Sequence, residues 1–183
     1  MIPYILLIYF KKLLMKKKKY KNFAKLFWIT GLSGTGKSTL GKLILPHIKK
    51  KYGPTILIHG DDFREIWELN QFSKKGRFKN CIKFTKFCKY ITDQNINIIF
   101  TVIGMYKEIR DWNKKNIKNY IEIYIKKKNY NNKSNFKNLK KNIVGVHIKA
   151  ELPKYPDITI SNNFEKEIKL VSDNLVKRIN NII

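Results

Sequence analysis

Short apolar runs alternate with amphipathic stretches along most of the chain. Leu26-Phe27-Trp28-Ile29-Thr30 is a nearly unbroken apolar run, and beyond the glycines that follow it Leu40, Leu43, Ile44 and Ile48 recur at the spacing of one helical face. Gly53-Pro54 breaks the chain, and Thr55-Ile56-Leu57-Ile58 reads as a second buried strand. A helix-capable stretch opens in His59-Gly60-Asp61-Asp62-Phe63-Arg64. Phe78 to Tyr90 keeps helical spacing through Ile82, Phe84, Phe87 and Cys88. Ile96 to Ile103 is a third strand, and Lys107 to Lys118 a helix with Ile109, Trp112 and Ile117 available to a core. Tyr120 to Ile125 is a fourth strand, Asp157 to Ile160 a short fifth, and Phe164 to Ile182 a closing amphipathic helix. Continuous apolar strands alternating with helices imply a parallel sheet covered on both faces. The expected fold is therefore α/β: a single domain with a five-stranded parallel sheet flanked by helices and its site at the carboxyl ends of the strands.

The first strand runs directly into Gly31-Leu32-Ser33-Gly34-Thr35-Gly36-Lys37-Ser38, followed by Thr39. A strand that turns through glycines into a helix aims successive N–H groups at one point, and the positive helix end adds to the same field. Lys37 can then reach the β- and γ-phosphates, and the Ser38 hydroxyl can ligate Mg²⁺. Residues 31–39 are thus the expected ATP-binding loop, with ATP and Mg²⁺ the expected ligands. Asp61, at the end of the second strand, can serve the metal or orient an acceptor hydroxyl; the competing reading is a helix N-cap. Arg64, Arg77, Lys83, Lys107 and Arg110 supply cations near strand ends.

The charge is unusual: 39 Lys+Arg against 13 Asp+Glu give a formal net charge of +26 in 183 residues. Such a surface attracts polyanions. Here lysines recur from Lys11 to Lys177 without a nucleic-acid motif, so compositional drift is the favoured reading and nucleic acid is not the expected partner. Cys81 and Cys88 share one face of a predicted helix and read as core, which suits a cytoplasmic location. His47, His59 and His147 show no ligand spacing and read as structural or surface residues. Ile2 to Phe10 is apolar and Lys16 to Lys19 basic, too short to span a bilayer and without signal-peptide flanks. That segment reads either as a weak interfacial anchor or as residues upstream of a start at Met15. Lys126 to Asn142 is polar and aperiodic, a mobile loop or lid. The division is an extension over 1–21 and a phosphate-loop domain over 22–183, with the lid at about 126–150.

In joint order these motifs resemble the adenylylsulfate kinase family, from about Leu26 to Ile160. The Gly31-Leu32-Ser33-Gly34 opening of the loop is characteristic of it, and Gly60-Asp61 with Arg64 looks like its Asp-Gly-Asp-x-x-Arg segment. Phe72-Ser73 with Arg77-x-x-Asn80 is similar to its Gly-Phe-Ser and Arg-x-x-Asn block, and Ile103-x-x-Tyr106-Lys107-x-x-Arg110 to its Ile-Ser-Pro-Tyr-Arg-x-x-Arg. Lys141, Gly145, Glu151, Pro153, Pro156 and Asp157 fall where the family's lid runs into the last strand.

The resemblance implies a P-loop kinase that transfers the ATP γ-phosphoryl to the ribose 3′-hydroxyl of adenylyl sulfate, as in sulfate assimilation. It implies Lys37 and Asp61 as catalytic residues and Ser38 and Asp61 at the metal. Arg64, Phe72, Arg77, Asn80, Ile103, Tyr106, Lys107, Arg110 and Lys141 would bind the acceptor, Phe72 by stacking. It also leaves room for a homodimer. The chain departs from the pattern at His59, where the family usually has aspartate, and at Gly104-Met105, which replace Ser-Pro. Asn142-Ile143-Val144-Gly145 stands for Gly-Phe-Thr-Gly, which removes a second base-stacking aromatic, and the stretch from Ile125 to Asn142 is short. Two alternatives therefore stand: a relative acting on another nucleotide-linked anion, such as a cytidine diphosphate derivative of surface-polysaccharide biosynthesis, and a degenerate P-loop protein that binds nucleic acid.

Overall fold

The structure is a computed structural model that describes residues 23–126, 143–162 and 167–182. The extension over 1–21, the lid residues 127–142 and Lys141 lie outside the described residues. Strands β1 (Leu26–Thr30), β2 (Thr55–His59), β3 (Asn97–Val102), β4 (Tyr120–Lys126) and β5 (Ile158–Ser161) form one sheet in the order β2-β3-β1-β4-β5. Every pairing is parallel. The central strands β1 and β3 are buried at every position, as their largely apolar runs predict, with Thr30, Asn97 and Thr101 the polar residues buried among them.

Alternation along β1 divides the core. Phe27 and Ile29 face one side with α1 (Lys37–Tyr52) and α5 (Ile168–Ile182), where Leu40, Ile44, Ile48, Leu175 and Ile179 complete the packing. Leu26 and Trp28 face the other side, covered by α2 (Gly60–Ile66), α3 (Lys74–Asp93) and α4 (Lys107–Asn116) through Phe63, Phe84 and Ile109. Helix α3 starts earlier than its apolar spacing predicts, because Ser73 caps it by accepting a hydrogen bond from the Gly76 N–H at 3.1 Å. The Asn97 side chain ties the start of β3 to its neighbours: its amide donates to the carbonyls of Tyr52 and Pro54, and its oxygen accepts from the Lys25 N–H.

Trp28 accounts for one departure from the family pattern. It is fully buried and stacks on Phe100 at 5.2 Å. A Cβ at Gly104 would lie 2.9 Å from Val102 Cγ1 and 3.0 Å from Trp28 Cζ2, so only a glycine fits beside that ring. The strand register brings Thr30, Val102 and Tyr124 level, and His59 level with Thr101. The loops that leave these ends therefore meet along one edge. Among the described residues no helix is long and apolar enough to cross a membrane.

Candidate active site

Gly34 and Gly36 take positive φ, 71° and 86°, and let the chain turn from β1 into α1. Helix α1 opens with no capping side chain and no acidic residue in its first turn, so its leading N–H groups carry no internal anion. Thr35 is buried and its hydroxyl donates to the Leu32 carbonyl at 3.0 Å. The Lys37 ammonium donates to the same carbonyl at 2.7 Å. Burial pushes the Lys37 amine down to about 8.

The loop forms one wall of a crevice of about 250 Å³, with Gly36, Lys37 and Ser38 on one side and His59, Asp61 and Arg64 among the residues of the other. Asp61 is not the N-cap of α2; His59 holds that position, and Asp61 stands in the first turn with its carboxylate ion-paired to Arg64. The Asp61 side chain is 82% exposed, against 19% for Arg64, and solvent at the carboxylate weakens the pair. The donor set suits Mg²⁺. This ion keeps several waters, takes one or two protein oxygens and draws the rest from substrate phosphates, and the Ser38 hydroxyl and Asp61 carboxylate line one space. No group of three or more His, Cys, Asp or Glu among the described residues offers a metal an all-protein site.

Beside the crevice lies a hollow of about 20 Å³ that shares Arg64 and Ile103 with it and adds Arg77, Asn80 and Tyr106. Five of the predicted acceptor residues therefore gather next to the phosphate loop. The hollow is too small for a nucleotide as it stands, so seating one requires its walls to part. Phe72 is 46% exposed, and the Arg64 and Arg77 guanidiniums lie 5.7 and 5.3 Å from its ring centre. Arg77 also donates through Nε to the Phe72 carbonyl at 2.9 Å. Asn80 is buried and donates to the Leu69 and Gln71 carbonyls, each at 3.4 Å, holding the turn that carries Phe72. The Tyr106 hydroxyl donates to the Lys74 carbonyl, and burial raises it to about 12.

Lys107 and Arg110 are not brought to this crevice. They line a separate cavity of about 690 Å³ between α4 and the segment 150–155. Arg110 is 6% exposed; it pairs with the buried Glu122 of β4 at 3.0 Å and donates to the Glu151 carbonyl at 2.7 Å. Its guanidinium is committed to joining α4 to the sheet. Burial raises the Glu122 carboxyl to about 7, against the pull of Arg110 and Lys114. Lys107 is exposed and pairs with Asp111 one turn along the same helix. The spacing that places both residues near a strand end says nothing of Glu122, which lies within a predicted apolar strand.

Three residues outside the expected set also belong to the site: His59, expected only as a structural or surface residue at a departure from the family pattern, and Thr101 and Asn162, which carry no motif. His59 lines the crevice with its Nδ1 2.7 Å from the Thr101 hydroxyl, and burial lowers its basicity. Thr101 itself lines the crevice from β3. Asn162 follows β5 and reaches the phosphate loop. For Thr101 and Asn162 the only legible signal is position near the carboxyl ends of predicted strands, whereas His59 also adjoins the Gly60-Asp61 segment.

The chain is similar to known kinases in sequence and in fold. The sequence model of a family described as adenylylsulphate kinase matches residues 24–161. The chain is 36% identical over 165 residues to a cytidine diphosphoramidate kinase of Campylobacter jejuni, covering 82% of this chain and 96% of that one. It is 30% identical over 162 residues to an adenylyl-sulfate kinase of Clostridium kluyveri, covering 82% and 81% respectively. Its fold matches the APS kinase CysC of Mycobacterium tuberculosis in complex with AMPPNP and APS, with a TM-score of 0.71 at 18% identity, over 86% of this chain and 98% of the other.

Two outcomes are expected. Phosphate beside Lys37 favours its charged form, so above about pH 8 ATP binding takes up protons, and affinity falls with rising pH by at most about tenfold per pH unit. Below about 8 this group leaves affinity unchanged. Calorimetry in buffers of different ionisation enthalpy measures the uptake; equal uptake by Lys37→Met contradicts the assignment. Arg110→Met should lower stability in urea unfolding by breaking the Glu122 pair, with acceptor KM unchanged in the folded enzyme. The loss should be larger above about pH 7, where Glu122 is charged, than below it, where the carboxyl is protonated. A raised acceptor KM without loss of stability would return Arg110 to the acceptor site.

Proposed function

The chain belongs to the adenylylsulphate kinase family and is a phosphotransferase, and from that premise we propose that it moves the γ-phosphoryl of ATP to the ribose 3′-hydroxyl of a cytidine diphosphate-linked anion. The observation that carries the cytidine assignment is the greater likeness to the cytidine diphosphoramidate kinase than to the adenylyl-sulfate kinase, along almost the whole of the former. The grip on the base supports it. Phe72 is the one aromatic of the expected stacking pair that remains, since Ile143 stands where the family carries the other. An aromatic–base contact is worth about 1–3 kcal/mol, and a smaller pyrimidine has less surface to lose.

In this reading Lys37, the loop N–H groups and the first turn of α1 hold the triphosphate, and Ser38 and Asp61 hold Mg²⁺. When bound, that ion supplies charge neutralisation at the transferring group. Asp61 also orients the acceptor hydroxyl. Arg64 leaves Asp61 as the acceptor enters and, with Arg77, grips its anionic linkage; planar guanidiniums suit such oxygens. Transfer then needs the two substrates held in line across a crevice that excludes water, so positioning and electrostatics carry the catalysis.

Adenylyl sulfate is the second reading, favoured by the family match and by the same pair of arginines, which suits sulfate as well as phosphate. An acceptor panel with γ-labelled ATP separates the two. The expected result is label on cytidine diphosphoramidate with kcat/KM at least tenfold above that for adenylyl sulfate, and none with Lys37→Ala. The reverse preference selects the second reading, and label on neither compound refutes both.

A further inference from the structure

Asn162 is 1% exposed and lies just past β5, far in sequence from the phosphate loop, yet it touches that loop directly. Its side-chain amide donates to the Thr35 carbonyl at 3.1 Å, within the turn that presents the N–H groups of Gly36 and Lys37. Its own backbone N–H donates to the Lys126 carbonyl at 2.9 Å, anchoring it to the end of β4. Contact with the loop is close: a Cβ at Gly36 would lie 2.7 Å from Asn162 Nδ2. The glycine is thus demanded twice, by its φ of +86° and by the amide pressed against it.

We propose that Asn162 is a positioning residue for the ATP phosphates. By tethering the Thr35 carbonyl to the end of the sheet it fixes the orientation of the Thr35–Gly36 peptide. The N–H of that peptide belongs to Gly36 and is aimed on the opposite side from the carbonyl, because the peptide unit is planar. Rotation of the unit would move an acceptor toward the triphosphate and a donor away from it. The buried carbonyl has to be satisfied, and without Asn162 the loop has a reason to rotate. Other residues secure other parts of the turn: Thr35 Oγ1 and Lys37 Nζ both hold the Leu32 carbonyl, and neither constrains the Thr35 carbonyl.

The inference rests on the reading of residues 31–39 as the ATP loop, so wild-type ATP binding is measured first, by thermal shift and calorimetry. Absence of binding there refutes that reading as a whole. If ATP binds, Asn162→Ala should raise KM for ATP at least tenfold and shrink the ATP-induced rise in Tm, with acceptor KM within about twofold. Asn162→Asp keeps the shape but loses the donor. It should show the same loss at neutral pH and recover ATP affinity as the pH falls and its carboxyl gains a proton to donate to Thr35. A purely structural role would lower Tm without moving KM for ATP, and that result overturns the proposal. Failure of both variants to fold also overturns it, since it would make Asn162 a requirement of the fold.

Discussion

A mostly buried ammonium without an anion is the constraint on which the site depends. Among the described residues, Lys37 meets only the carbonyl of Leu32, and its basicity falls accordingly. Removing a charge from water is costly unless a counter-charge replaces the lost hydration. The first turn of α1 compounds the demand, with uncapped N–H groups and no acidic side chain to answer them. A polyphosphate answers both, and the core of the fold serves to keep these groups together. Phe27 and Ile29 of β1, with Leu40 and Ile44 of α1, fix the angle at which strand and helix meet.

The opposite wall is built more loosely. Asp61 and Arg64 neutralise one another at the surface, an arrangement that lasts only until a better partner arrives for each. In the proposed reaction their separation couples the two halves of the site, and the carboxylate becomes available to the donor side as the guanidinium turns to the acceptor. Phe72, with the Arg64 and Arg77 guanidiniums over its ring, forms a surface that is both aromatic and cationic. The deep part of the site is thus buried and the shallow part open to solvent, and the named relatives differ in acceptor.

Most of the fold was legible because its signals are local. Nearly continuous apolar runs marked β1 and β3, an alternating Ile pattern marked β4, and their order with the intervening helices implied the parallel sheet. The phosphate loop was legible for the same reason, as a contiguous string between a strand and a helix. Asp61 could be placed by its position at the end of β2. Arg110 could not: its partner Glu122 is a carboxylate inside a strand that reads as apolar, and nothing in the local pattern pairs the two. Asn162 was silent for a similar reason, since one amide after a short strand has no motif and its meaning lies in a contact with Thr35 from the far end of the chain. The start of α3 was within reach, through Ser73 as a cap ahead of Gly76, but apolar spacing alone does not register a first turn that faces solvent.

The central claim is that Lys37 and Asp61 face each other across one crevice to move a phosphoryl group. The most direct measurement compares Asp61→Asn with wild type in ATP affinity, thermal stability and single-turnover transfer. Because Asp61 is exposed and weakly paired, the account predicts unchanged folding, ATP affinity within a few-fold of wild type, and transfer slower by about 100-fold or more. Transfer at the wild-type rate in a folded, ATP-bound Asp61→Asn enzyme would contradict it.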